Sequence, residues 1–417
     1  MKTKLCIIAV TALLNAFLLN KIELATTESS ELFMYGTVMM ENGDEYTGQI
    51  RWGSEEIYWF DYFNSSKPDN DFIDYLSDDD LNKLNNDCYG TKKNSLFRVV
   101  NVSWGDCSNT HSFATQFGDI QRIDVRSNSK VTVTLKNGDK FKLKGGSNDI
   151  GAKVQIHDTE IGLIKLDWKQ IESVQFKNTP KVLNNYFGQP LYGTAHTEEG
   201  SFTGFLQWDH DERVSNDILN GEYEDGDLDI KFGNIKSIKK VWRGSEVTLH
   251  SGRVFKLEGS NDVDSDNRGI IVNIPGQGRV DIDWDEFEEI VFTDVPDISD
   301  LAYTDFIGDA KLIGSVSTHA GTVLSGTIVY DLDEAYGMEI LNGKADDIEY
   351  FIPFSDIKNI TKHGRRHTTI TTRNGWSVDL DDSVDVDENN DGLLVFKSDN
   401  DDPVYVPWQD VSSIEFN

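Results

Sequence analysis

The chain has 417 residues, with 72 acidic against 39 basic side chains and a formal net charge of −33. That length suits about two to four domains, and 38% hydrophobic with 11% aromatic residues is too rich for a disordered polyanion. The charge argues against nucleic acid or an anionic membrane as the main partner, since both need basic footprints, and three cysteines exclude a large disulfide framework or a Cys-rich zinc site.

Lys2 and Lys4 precede an apolar run from Leu5 to Leu19, followed by Asn20, Lys21 and the small Ala25. This reads as a secretory signal peptide over residues 1–25, because the run is too short to span a bilayer comfortably and is flanked by charge. The mature chain is therefore expected to be secreted or periplasmic, with no transmembrane segment. In an oxidising compartment Cys88 and Cys107 can pair as a disulfide.

The most informative feature is an internal repeat. An aromatic residue followed by apolar residues at the third and sixth positions occurs as Phe117-Ile120-Ile123, Trp168-Ile171-Val174, Phe232-Ile235-Ile238, Trp284-Phe287-Ile290, Phe354-Ile357-Ile360 and Trp408-Val411-Ile414. The leading residue alternates Phe and Trp, so the six copies form three pairs. A turn glycine lies upstream of each aromatic, at Gly43, Gly138, Gly200, Gly252, Gly321 and Gly375. Only the first unit is stretched, which places an insertion at about residues 64–107.

Around each glycine the residues alternate with period two, as from Val131 to Leu143, which predicts a half-buried hairpin. The aromatic triplets suit a 3₁₀ turn, whose third residues eclipse, ahead of a last short strand. Helical patterns are confined to Asp71 to Leu84, Lys181 to Tyr186 and Ile298 to Phe306. About five short strands with a 3₁₀ turn before the last resembles the SH3-like small-barrel superfold. The expected architecture is all-β, with three tandem pairs of small SH3-like barrel units at 32–177, 188–293 and 308–417.

Candidate chemistry sits in acidic loops. Asp149, Asp262 and Asp385 align after their turn glycines, and Asp385, Asp387, Asn389 and Asp391 followed by Gly392 match the first half of a calcium loop. The bidentate Glu of that motif is missing, since Ser398 occupies its place, so any Ca²⁺ site is expected to be weak. Glu55-Glu56, Asp211-Glu212 and Asp333-Glu334 follow Trp52, Trp208 and Tyr330 at equal spacing. Adjacent acids on an extended chain point apart and recur in every pair, which fits a structural turn better than a glycosidase site.

A dense aromatic run, Tyr58, Trp59, Phe60, Tyr62 and Phe63, precedes the insertion. It could present rings to a sugar or pack the insertion onto its barrel. Tyr58, Trp59, Tyr62 and Phe63 are the ligand-contact candidates. No nucleophile elbow, phosphate loop or Rossmann fingerprint occurs. The functional expectation is a non-catalytic binding or structural protein of the cell envelope or extracellular space, partnered by a glycan or a protein. A secreted polysaccharide hydrolase with its cleft at the first insertion is the alternative.

Overall fold

Each predicted turn glycine closes a two-stranded hairpin. At Asn137-Gly138 the glycine takes φ +94 and donates its N–H to Leu135 O at 3.0 Å, while Asn137 Oδ1 accepts from the N–H of Asp139 at 2.7 Å. A side chain at that φ would be strained. The structure, a computed structural model, describes residues 30–68, 70–81, 84, 111–145, 149–183, 187–224, 226–398 and 402–417. The expected signal peptide and the Cys88 and Cys107 pair lie outside the described residues.

Among the described residues thirty strands follow in three sets of ten. The first set is β1 (Tyr35–Met40), β2 (Glu45–Trp52), β3 (Tyr62–Lys67), β4 (His111–Gln116), β5 (Ile120–Ser127), β6 (Lys130–Leu135), β7 (Lys140–Lys144), β8 (Val154–Asp158), β9 (Gly162–Leu166) and β10 (Ile171–Phe176). The second is β11 (Tyr192–Thr197), β12 (Ser201–Trp208), β13 (Ile218–Tyr223), β14 (Gly226–Lys231), β15 (Ile235–Val241), β16 (Gly244–Leu249), β17 (Val254–Leu257), β18 (Ile270–Ile274), β19 (Gly278–Ile282) and β20 (Phe287–Phe292). The third is β21 (Ile313–Thr318), β22 (Val323–Val329), β23 (Ile340–Ala345), β24 (Ile348–Pro353), β25 (Ile357–His363), β26 (His367–Thr372), β27 (Ser377–Leu380), β28 (Leu393–Phe396), β29 (Val404–Val406) and β30 (Val411–Phe416). The protein is all-β, with antiparallel ladders and short 3₁₀ turns.

Strand order in the first repeat is β4-β3-β7-β6-β5-β10-β1-β2-β8-β9. Exchanging β1 to β5 with β6 to β10 turns this order into its own reverse, so the two halves of a repeat are related by a pseudo-twofold axis through the β5·β10 ladder. The second and third repeats keep the same order, joined at the equivalent place by the single bridges Glu222↔Glu258 and Lys344↔Asp381, as β3 and β7 are by the one pair Ser66↔Lys144.

This differs from six barrels strung end to end. The β1-β2 hairpin pairs with β10 and β8 of the other half, and β6-β7 pairs with β5 and β3. Each five-stranded group in space therefore takes a hairpin from one half and three strands from the other. Local hairpin patterns fix β1 against β2 but carry no information on the distant strand that completes the ladder.

The core explains the aromatic triplets. Phe117, Trp168, Phe232, Phe354 and Trp408 each open a 3₁₀ turn before β5, β10, β15, β25 and β30, and Trp284 opens an ordinary hydrogen-bonded turn before β20. All six are buried, as are their third and sixth followers. The sixth followers meet across the pseudo-twofold as Ile123↔Val174, Ile238↔Ile290 and Ile360↔Ile414. We expect Trp284→Ala to cost about 3 kcal/mol, read as a lowered urea midpoint; an unchanged midpoint would contradict this packing.

Close backbone approach marks one corner of each repeat. Gly36 faces Gly48, Gly193 faces Gly204 and Gly314 faces Gly326. A Cβ on Gly48 would lie 1.9 Å from His157 O, so any side chain there would push β8 off β2.

The repeats are joined in two ways. The second and third fuse edge to edge through β19 and β24, with Val280 opposite Tyr350. The first packs through buried side chains: Tyr58 and Phe60 against Phe205 of the second repeat, and the Tyr62 hydroxyl donating to Phe351 O of the third at 3.1 Å. The insertion occupies the β3–β4 connection; its first part holds a 3₁₀ turn at Asp71–Tyr75, and Leu76 packs with Val329, Leu332 and Leu394 of the third repeat. A further 3₁₀ turn lies at Tyr303–Asp305, whereas residues 181–183 form no helix. Among the described residues, no helix is long and apolar enough to cross a membrane.

Candidate functional site

Exchange of hairpins requires two chain segments per repeat to cross from one five-stranded group to the other: β2 to β3 and β7 to β8. The repeated acids sit on these crossings. After Trp52 the chain turns tightly, with Trp52 N donating to Glu56 O at 2.8 Å and Glu56 N returning the bond to Trp52 O at 3.1 Å. Trp208 with Glu212, and Tyr330 with Glu334, repeat the same closed loop. To make the turn, Gly53, Asp209 and Asp331 all adopt positive φ.

The second crossing supplies Asp149, Asp262 and Asp385, all buried. Each carboxylate accepts the backbone N–H of an asparagine in the strand that follows the partner crossing, Asn64 of β3, Asn220 of β13 or Asn342 of β23, at 2.6 Å. Each backbone carbonyl in turn accepts from the ring that ends β2 or β12 or directly follows β22: Trp52 Nε1 at 3.0 Å, Trp208 Nε1 at 2.8 Å and the Tyr330 hydroxyl. The aspartate thus ties the two crossing segments together.

Glu56, Glu212 and Glu334 lie in the field of these aspartates. Glu56 is buried, and Oε2 of Glu212 and of Glu334 is shut off from solvent without a hydrogen-bond partner. Burial and then the charge of Asp262 push Glu212 up to about 9. Burial, then neighbouring carboxylates including Asp149 and Asp385, raise Glu56 and Glu334 well above the usual range. Asp149 rises to about 8 and Asp385 to about 7, burial again being the main cause. Two carboxyls confined together out of water resist ionising together near neutrality, which favours one retained proton per repeat, shared between the glutamate of one crossing and the aspartate of the other.

A third acid was not singled out by the sequence patterns. Asp61, Asp217 and Glu339, five residues beyond each glutamate, accept pairs of loop N–H groups: Ile57 and Tyr58, Arg213 and Val214, Ala335 and Tyr336. Each also meets a cation from another repeat. Arg213 pairs with Asp61, Arg51 pairs with Asp217 at 2.7 Å, and Lys67 pairs with Glu339 at 2.5 Å and Asp333 at 2.9 Å. The constant five-residue offset was the available signal.

The calcium-like loop uses its oxygens on itself. Asp387 Oδ1 accepts from Asn389 N at 2.7 Å and from its Nδ2 at 3.0 Å, while Asn390 Nδ2 reaches Asp385 O at 3.1 Å. Asp391 donates its N–H to Asp331, and Asp385 faces inward to Asn342. Asp264 and Asn267 build the same turn in the second repeat. Among the described residues, no three His, Cys, Asp or Glu side chains are grouped to hold a metal ion.

Of the ligand-contact candidates, Tyr58, Trp59, Tyr62 and Phe63 are all buried. Trp59 packs against Tyr303 with ring centres 4.5 Å apart and planes tilted by 38°, Phe63 packs on Trp52 and Phe117, and the Tyr58 hydroxyl donates to Arg213 O at 2.9 Å. Tyr58 and Tyr62 are held at repeat junctions and Phe63 in the first repeat's core, and none of the four rings offers an open face to a sugar. A polar surface depression of about 470 Å³ lies elsewhere, lined by His196, Thr197, Lys239, Lys240, Glu288 and Glu289. Comparison of the chain with protein-family models, curated proteins and solved structures returns no match.

Proposed function

We propose that the protein is a secreted, non-catalytic binding or structural component of the cell envelope or extracellular space, built as a rigid array of three intertwined repeats. One observation carries this reading: in all three repeats the second acid of the pair, Glu56, Glu212 or Glu334, sits in a closed crossing turn beside a buried aspartate instead of across an open cleft. A hydrolytic carboxyl pair needs access to substrate across a cleft of about 5 to 9 Å. Glu56, Asp149 and Asp385 are buried instead.

We read each five-stranded group as an SH3-like small barrel whose first hairpin is exchanged within the repeat. The order β10-β1-β2-β8-β9, with a 3₁₀ turn between β9 and β10, supports that reading. Fold alone assigns no ligand.

The test is a paired assay on the purified chain from residue 26. It is incubated with neutral and acidic polysaccharides and with envelope fractions, and both retention and release of reducing ends are measured. Retention without new reducing ends is expected. Reducing ends that disappear in Glu55→Gln would replace this reading with the hydrolase.

A further inference from the structure

We propose that β9 of one molecule pairs with β14 of a second copy, joining chains head to tail as the second and third repeats are joined within one chain. The in-chain junction is antiparallel β19 on β24, with Arg279 opposite Phe351, Val280 opposite Tyr350 and Asp281 opposite Glu349. β9 is the first repeat's counterpart of β19, and β14 the second repeat's counterpart of β24. Both end their sheets: β9 is bonded on one side to β8 and β14 on one side to β13, with no second neighbour among the described residues. Such edges present a row of N–H and C=O groups to any strand that fits.

The register follows from the repeat. Gly162 corresponds to Gly278 and Phe232 to Phe354, which places Ile164 opposite Leu228, Lys165 opposite Asp227 and Leu163 opposite Asp229. The first pair reproduces the apolar Val280–Tyr350 contact, and the second is a charge pair where the in-chain junction has two acids. Leu163 is 51% exposed and Ile161 beside it 69%, so apolar surface is available at this edge. Asp227 and Asp229 repel a second β14, whereas Lys165 attracts it to β9, which favours the unlike pairing. A contact between two different edges does not close on itself as a twofold dimer and propagates as a chain or ring. The inference does not depend on the ligand reading above, because it needs only a second copy of the same chain.

Sedimentation velocity of the purified chain at about 0.15 M salt, where the Debye length is about 8 Å, tests it. The expected result is a mass that grows with concentration. Lys165→Glu and Asp227→Lys should each weaken association about fivefold, and the double exchange should restore it. Hydrogen exchange at β9 and β14 should slow as concentration rises. A single-chain mass up to about 1 mM, association indifferent to both charge changes, or concentration-independent protection of both strands would overturn the proposal. The last result would place the pairing inside one molecule.

Discussion

Replacing Arg213 by Ala is expected to cost about 3 to 5 kcal/mol, the penalty for leaving a buried charge without its partner. The Arg213 side chain is fully buried, and Asp61, which it contacts, is 5% exposed. The guanidinium also donates to Gln207 Oε1 at 2.9 Å and lies 4.8 Å from the centre of the Tyr58 ring. Asp61 cannot turn to water, because its other oxygen holds the N–H groups of Ile57 and Tyr58 at 2.7 and 2.8 Å. Truncation therefore strands a carboxylate and empties a volume between the first two repeats. Arg213→Met with Asp61→Asn should recover most of the loss, since the amide oxygen keeps both caps and no charge remains. Urea unfolding of the single and double variants is the measurement. A loss below about 1 kcal/mol in Arg213→Ala would mean that the pair is solvated and contributes little to the junction.

The all-β class, the repeat and its landmarks were legible because their causes are local. Asn137-Gly138 requires a turn wherever it occurs between alternating strands, and Trp168, Ile171 and Val174 share a face by spacing alone. The exchange of hairpins was not legible: β2 would pair equally well, by its own pattern, with a strand of its own half. What decides is where the chain runs after Trp52, and the positive φ at Gly53, Asp209 and Asp331 is a local trace of that route. The loop from Asp385 to Gly392 shows a different limit. Alternating Asp and Asn side chains can wrap a cation or accept the loop's own N–H groups, and both uses call for the same residues at the same spacing. Orientation separates them, and orientation depends on Asn342 and Asp331, more than 40 positions away in sequence. The Tyr58 to Phe63 rings were ambiguous for the same reason, since a ring that stacks on a sugar and one that packs on Tyr303 read identically.

Raising the pH from 5 to 8.5 should destabilise the fold steeply, although most proteins are near their optimum across that range. The sign follows from the crossing acids. Glu212 titrates at about 9 in the fold against an ordinary value of 4.5, and Asp149 at about 8 against 3.8, with burial the leading cause in both. Between the ordinary and folded values the native state holds a proton that the unfolded chain has released, so stability is greatest below about pH 4.5 and falls as pH rises toward 8 or 9. One retained proton contributes a slope of up to about 1.4 kcal/mol per pH unit, and one in each of the three repeats up to about 4. Water entry at the half-buried Glu212 and Glu334 will reduce this. Self-repulsion of a chain with net charge −33 bends stability the same way, so a control is needed. Glu56→Gln, Glu212→Gln and Glu334→Gln together should flatten the profile and raise the midpoint at pH 8.5, because an amide needs no proton to enter the crossing. Glu172→Gln, Glu288→Gln and Glu415→Gln remove the same formal charge from exposed strand positions, one per repeat, and should leave the slope nearly intact. Equal flattening by both triples would assign the pH dependence to surface repulsion and deny the crossings their protons.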